Sequence, residues 1–271
     1  MNTANDYNEQ NISQIPAIEL LSKIGYRVIP PEQAEKMRGN LYNVILKEVL
    51  YESLKRINSY EYKGQIHEFS EKNILQAMQD IDVALTDGLI KTNEKIFDNL
   101  ILGKSYPEKV SETDGIRSFN INFIDWDTVA NNVFHLVEEF SVEREDGKGN
   151  IRPDIVLFIN GLPMGVIECK KASISTEQGI EQMLRNQGRE YAPHLFKYVQ
   201  LVMSTNKNET KYATVYTPKK FWALWKEDEE SCEYSWFLET LEKSVIGRIP
   251  TVQDRNIIAL FHPKRILDII K

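Results

Sequence analysis

The chain has 271 residues, 42% of them hydrophobic, and a formal charge of −7, enough length to bury a real core in one large domain or two modest ones. The acidity argues against a module whose main task is to grip phosphate backbones, because such modules carry a basic excess. With no apolar run near the roughly 18 residues of a membrane span, no secretory signal and two distant cysteines, Cys169 and Cys232, a cytoplasmic protein without a disulfide framework or zinc site is expected.

The first ten residues are polar and read as loose. Residues 12–24 carry Ile15, Ile18, Leu20, Leu21 and Ile24 near helical spacing, with Gly25 as a stop. After the break at Pro30 and Pro31, residues 34–56 read as a second helical stretch. Ser70 opens a third within residues 69–85, and residues 89–102 form a fourth. Residues 1–110 are therefore expected to be mainly helical and to pack on a core built from residues 111–271. Beyond residue 116 the pattern changes. Residues 118–124 alternate polar and apolar as a half-buried strand does, and residues 133–142 are a second strand candidate. A turn falls at residues 145–150. Two short apolar runs, 155–159 and 164–169, flank Asn160, Gly161, Leu162 and Pro163, the strongest hairpin signal in the chain. A helix over residues 176–191 follows, then strands at 198–204 and 212–216. The last 50 residues hold helical pieces, an acidic run from Glu227 to Glu230, and Trp222, Trp225 and Trp236, which read as core or as a docking surface. The whole predicts an α/β fold, a mixed central sheet flanked by helices, behind a helical front.

The hairpin carries the chemistry. Asp154 stands where its first strand begins, after Arg152 and Pro153. Glu168 and Lys170 lie two residues apart near the end of the second strand, so they share one face while Ile167 and Cys169 share the other. A turn near residues 160–162 sets Asp154 opposite roughly residues 167–170. Charges at the end of strands apolar on both faces are costly unless paired or bound to a metal. Two carboxylates can hold Mg²⁺, a hard ion that wants oxygens, with the main-chain carbonyl of Cys169 as an extra ligand and Mn²⁺ as a substitute. The metal would lower the pKa of water and neutralise charge on a phosphate, and the Lys170 ammonium would orient the attacking water or stabilise the transition state. The bland counterpart is a surface ion pair, since a Glu-x-Lys spacing in a strand is common by chance.

On the next helix, Ser175 and Gln178 have capping-box spacing. Gln178, Gln182, Arg185 and Arg189 share one face, and Ile180, Met183, Leu184, Gln187 and Tyr191 the other. Gln187 within an apolar stripe reads either as an amide bonded to the sheet or as one that reaches the metal site. His135 and His194 have no metal-ligand partner at useful spacing and read as ordinary polar residues. Cys169 reads as a packed side chain and not as a nucleophile.

The stretch from Arg152 to Lys170 resembles the nuclease motif of type I restriction enzyme R (motor) subunits, members of the PD-(D/E)xK superfamily. The likeness continues through Ile124, Asp125 and Trp126, through Asn131 to His135, and through Leu184 to Gln187 and Lys220 to Lys226. Upstream it includes Ile12 to Ala17 and Leu89 to Ile96, so it covers nearly the whole chain. It implies a restriction-endonuclease-like core with Asp154, Glu168 and Lys170 in catalytic roles. The family's Gln-x-x-x-Tyr motif matches Gln182 by distance, with Asn186 at the tyrosine position; Gln187 and Tyr191 match it letter by letter, five residues late. Some superfamily members add an acid from the first helix, for which Glu9 and Glu19 are the candidates. The implied partners are double-stranded DNA and the methyltransferase (M) and specificity (S) subunits of a restriction complex. ATP is expected only for translocase domains that this chain lacks. Its Gly103-Lys104-Ser105 has Asp98 where a phosphate-binding loop needs glycine. Two alternatives stay open: a non-catalytic docking module joining a translocase to its partner subunits, and an RNA- or structure-specific nuclease of the same superfamily.

Overall fold

The structure is a computed structural model and describes residues 13–111 and 114–271. The elements follow in order as α1 (Ile15–Lys23), β1 (Arg27–Val28), α2 (Pro31–Arg38), α3 (Lys47–Ile57), β2 (Tyr60–Tyr62), β3 (Gln65–His67), α4 (Glu71–Asp80), α5 (Leu89–Leu102), β4 (Lys104–Ser111) and β5 (Gly115–Ile121). The second half contains β6 (Phe134–Glu138), β7 (Val142–Glu143), β8 (Asn150–Ile151), β9 (Ile155–Ile159), β10 (Leu162–Cys169), α6 (Thr176–Asn186), α7 (Pro193–Phe196), β11 (Leu201–Thr205), β12 (Thr210–Ala213), α8 (Tyr234–Ser244), α9 (Val252–Phe261) and α10 (Pro263–Ile270).

A six-stranded sheet of order β1-β6-β9-β10-β11-β12 forms the centre. It is mixed: β1 runs parallel to β6 and β10 parallel to β11, while β6–β9, β9–β10 and β11–β12 are antiparallel. Every residue of β9 and β10 is buried, as two-sided coverage of apolar strands demands. On one face α6 packs close, with Gly179 against Ser204 of β11. On the other lies α9, whose Phe261 meets Gly165 and whose chain is tied to the front by the Tyr26 hydroxyl donating to the Phe261 carbonyl at 2.8 Å. The expected mixed sheet flanked by helices is thus the observed architecture, that of a restriction-endonuclease-like fold.

Several expected elements differ in detail. Residues 34–56 form two helices, α2 and α3, because the buried Arg38 guanidinium turns back and donates to the carbonyls of Asn43 and Ser141, holding an irregular link between them. The helical front also contains strands. β1 joins the main sheet, β2–β3 is a hairpin, and β4 pairs with β5 from Lys104↔Ile121 to Ser111↔Gly115, so residue 110 falls inside a hairpin. The strand candidate at 133–142 is interrupted at Glu139, which has φ +46°. The helix expected over 176–191 stops at Asn186, with Gln187 as its C-cap. Ser175 does cap its start, accepting from the Glu177 amide at 3.2 Å.

Candidate active site at the end of the central hairpin

The β9–β10 turn has the form the sequence asked for. Asn160 (φ +51°) and Gly161 (φ +85°) both lie in the left-handed region, the requirement of a type I′ turn. A side chain on Gly161 would stand 2.6 Å from the Leu46 carbonyl, so α3 closes directly onto the turn. The register then shifts. Pro163 pairs with Phe158 but Gly165 pairs with Leu157, leaving Met164 as the extra residue of a β-bulge. That single residue decides the site. With it, Ile167 faces Ile155, and one further step sets Glu168 opposite Asp154. Without it, Ile167 would face Asp154, and the aspartate would share a face with the wrong side chains.

Beyond Ile155 the ladder gives way to side chains. The Cys169 amide donates to Oδ2 of Asp154 at 2.7 Å, and the residue before the aspartate, Pro153, has no N–H to offer. Behind it, the Gln14 side-chain amide donates to the Asp154 carbonyl at 3.3 Å. Lys170 lies between the acids: Nζ is 3.5 Å from Oε2 of Glu168 and 4.0 Å from Oδ2 of Asp154, and it donates to Oε1 of Gln182 at 3.2 Å. The Lys170 main chain is fixed by its N–H donating to the Thr205 carbonyl at 2.8 Å. Glu168 is 0% exposed, and burial, then the Asp154 charge, holds its carboxyl well above the usual range, with Lys170 opposing. Cys169 points to the other face, where the Gln253 amide lies 4.0 Å from its Sγ. Burial, then the acids, pushes its thiol far up, so it serves as packing and not as a nucleophile.

The two possible glutamines are separated by the structure. Gln182 meets Lys170. Gln187 faces away, its Oε1 accepting from the Tyr216 amide at 2.6 Å, and Tyr191 lies under the Arg144 guanidinium at 4.1 Å. Gln187 and Tyr191 lie on the face opposite Gln182, and with the helix ending at Asn186 the Gln187 amide is engaged by Tyr216 and not by Lys170. Glu19 is exposed on α1, and Glu9 lies outside the described residues. His135 is buried within the sheet, and His194 sits beside Glu145 at 3.0 Å. Sequence reasoning missed three contributors: the Met164 bulge, Gln14, and Gly179. A lone glycine inside a helical pattern is a signal of close approach, and a Cβ at Gly179 would stand 2.2 Å from Oγ of Ser204 and 3.4 Å from Cε of Lys170.

A divalent ion fits this donor set. Oε1 of Glu168 is buried without a hydrogen-bond partner, the kind of uncompensated oxygen that a cation satisfies. Among the described residues no group of three or more His, Cys, Asp or Glu side chains gathers to hold a metal. The side-chain oxygens on offer are therefore two carboxylates, a sparse set suited to an ion such as Mg²⁺ that retains waters.

A mixed sheet with two acids, a lysine and a glutamine meeting at the end of a central hairpin is the framework of a nuclease-like α/β protein. Comparison with known proteins narrows this. The profile of the family described as "Type I restriction enzyme R protein N terminus (HSDR_N)" matches residues 6–221, and the chain belongs to that family. It is similar to two proteins of Methanocaldococcus jannaschii. It is 27% identical over 233 residues to the "Putative type I restriction enzyme MjaVIIIP endonuclease subunit", covering 84% of this chain and 20% of that protein. It is 24% identical over 277 residues to the MjaIXP protein described in the same words, covering 97% and 25%. The Escherichia coli "Type I restriction enzyme EcoprrI endonuclease subunit" is 28% identical over 129 residues, 47% of this chain and 38% of that one. The chain spans a quarter or less of the length of the two archaeal relatives.

Proposed function

We propose that this chain is the Mg²⁺-dependent endonuclease portion of a type I restriction enzyme R subunit. It would hydrolyse phosphodiester bonds of duplex DNA in the cytoplasm, alongside methyltransferase and specificity subunits. The observation that carries this reading is the convergence on one sheet face of Asp154, Glu168, Lys170 and Gln182, with one oxygen of the buried glutamate left unsatisfied. Family membership and the names of the relatives support it.

Asp154, Glu168 and the Cys169 carbonyl would hold the ion, which supplies Lewis-acid neutralisation of charge on the scissile phosphate. Lys170 holds a positive charge at a fixed point, its ammonium aimed by Gln182 on one side and Glu168 on the other, where it orients a water and stabilises developing negative charge. Gln182 acts on Lys170 by accepting one of its three N–H bonds, which fixes the ammonium without neutralising it. The Cys169 amide, donating to Oδ2, fixes where the Asp154 carboxyl points.

The test joins metal binding to cutting. Calorimetric titration with Mn²⁺ should show a site that Asp154→Ala and Glu168→Ala remove and Lys170→Ala keeps. Plasmid cleavage in Mg²⁺ by the intact restriction complex should fall at least about a hundredfold in all three. A chain that binds no divalent ion at these carboxylates is instead the docking module, and cutting that survives all three substitutions places the active site elsewhere.

A further inference from the structure

A cleft of about 680 Å³ opens at the same end of the sheet as the carboxylates. One wall is the β11–β12 turn, carrying Lys207 and Asn208; the other is the loop between α8 and α9, carrying Arg248, Ile249 and Thr251; Gln253 lies at its base. The link to the candidate active site is short. Thr205, two residues before Lys207, pairs with Cys169 and accepts the Lys170 amide, while Gln253 reaches the Cys169 sulfur on the face of β10 opposite the carboxylates, so the cleft adjoins the site across the strand ends.

The geometry points to this cleft as the seat of the DNA backbone flanking the scissile phosphate, with Lys207 as a phosphate contact; the inference rests on the nuclease reading above. Charge is the first argument. The chain carries a net −7, and four other clefts among the described residues are each lined by at least one carboxylate, yet this one is lined by Lys207 and Arg248 and by no acid, with Arg248 paired to Asp254 behind the wall, so that Lys207 is the charge the cleft offers. An acidic protein that must approach a polyanion needs such a local exception, since exposed charges farther off than about 10 Å are screened at ordinary salt. Rigidity is the second. Oδ1 of Asn206 accepts from the amides of Asn208 and Glu209, both at 2.8 Å, and its side-chain amide donates to the Ile174 carbonyl at 2.8 Å. Lys207 is thus presented from a turn bolted to the segment that follows Lys170, a fixed distance from the reacting centre. Its own side chain is exposed and has no ion-pair partner among the described residues. The opposite wall is also held, because Arg248 forks onto both oxygens of the buried Asp254, at 2.5 and 2.7 Å. That pairing leaves Ile249, 88% exposed, as the uncharged lip over which a strand would pass.

The test is anisotropy of a labelled DNA duplex with the whole chain in EDTA, across a salt series, with cleavage in Mg²⁺ measured separately. Lys207→Glu and Ile249→Asp, both at exposed positions, should each weaken binding several-fold, and Lys207→Glu should lower the salt slope by about one. Lys91→Glu is the control for net charge: it lies on α5, whose Asn93 binds the carbonyls of Phe196, Lys197 and Val199 before the far end of β11. Equal effects of Lys207→Glu and Lys91→Glu, or no duplex binding by the parent chain at low salt, would overturn the assignment. If binding depends on the two walls but no Asp154-dependent cutting appears, the cleft stands and the nuclease reading falls. If cutting appears and the walls do not matter, the reverse holds.

Discussion

Glu168 pays for its place in the site with stability. It is fully buried, one of its oxygens has no partner, and its carboxyl is held well above the ordinary range by burial first and Asp154 second. A raised folded pKa means that the folded state binds the proton more tightly than the unfolded one. The associated stability is therefore present below the ordinary carboxylate range and is lost as pH rises through the elevated folded value. Without divalent ion, Glu168→Gln should therefore raise the melting temperature at pH 8 and change it little at pH 5. A variant less stable than the parent at pH 8 would mean that Lys170 compensates the charge better than burial penalises it. The residue types and their two-residue spacing were legible in the sequence because charge within an apolar hairpin is conspicuous. The glutamine was not, because Gln182 and Gln187 sit on opposite faces of the helix and the sequence does not say which face meets Lys170.

At the level of elements, the site depends on how closely α6 approaches β10 and β11. Gly179 makes that approach possible: any Cβ there would run into Oγ of Ser204, which donates to the Thr176 carbonyl at 2.8 Å, and would touch Cε of Lys170. Gly179→Ala should gain a few tenths to 1 kcal/mol from helix propensity. It should lose more, about 1–3 kcal/mol, from overpacking, while pushing Gln182 away from Lys170 and lowering cutting. Combining it with Ser204→Gly removes the obstructing hydroxyl and should recover part of both losses in urea unfolding and in cleavage. If Gly179→Ala alone is neutral in both assays, α6 has slack that the packing does not suggest. The turn at Asn160 and Gly161 could be read in advance because left-handed backbone has a residue signature, and the hairpin followed from it. The bulge at Met164 could not, since a one-residue register shift leaves no compositional trace, yet it brings Asp154 and Glu168 face to face. Strands of two or three residues, β1 to β3, escaped for a similar reason: too few residues exist to display a period of two.

Across the whole molecule, the class of fold was readable from the switch of hydrophobic period beyond residue 116, while the way front and core interlock was not. β1 leaves the helical front to pair with β6, and β4 crosses residue 110 to pair with β5, because contacts distant in sequence decide both. The interlocked core also fixes the acid limit of the protein. His135, His194 and His262 come from the sheet, α7 and the α9–α10 junction, and each is pushed down to about 4, by burial first in every case. Nearby positive charge adds to the effect, from Arg27 at His135 and from Lys264 and Arg265 at His262, while Glu145 opposes it at His194. Here the folded pKa lies below the unfolded value near 6.5, so the unfolded chain takes up the protons first as pH falls. The stability these neutral rings confer is complete above that value and is lost progressively as pH drops through about 4. The carboxylates held low by their partners, such as Asp82 and Asp254, give way only at lower pH, as they are protonated. Urea unfolding between pH 6.5 and 4.5 should therefore show stability falling with acid: the histidines contribute a slope approaching three protons near pH 5, each worth about 1.4 kcal/mol per pH unit, and the proton that folded Glu168 retains opposes this by up to one. His135→Gln should reduce that slope by one proton. A flat profile across the interval would show that the rings charge freely inside the fold, and that the core around β6, α7 and the α9–α10 junction admits more water than its packing implies.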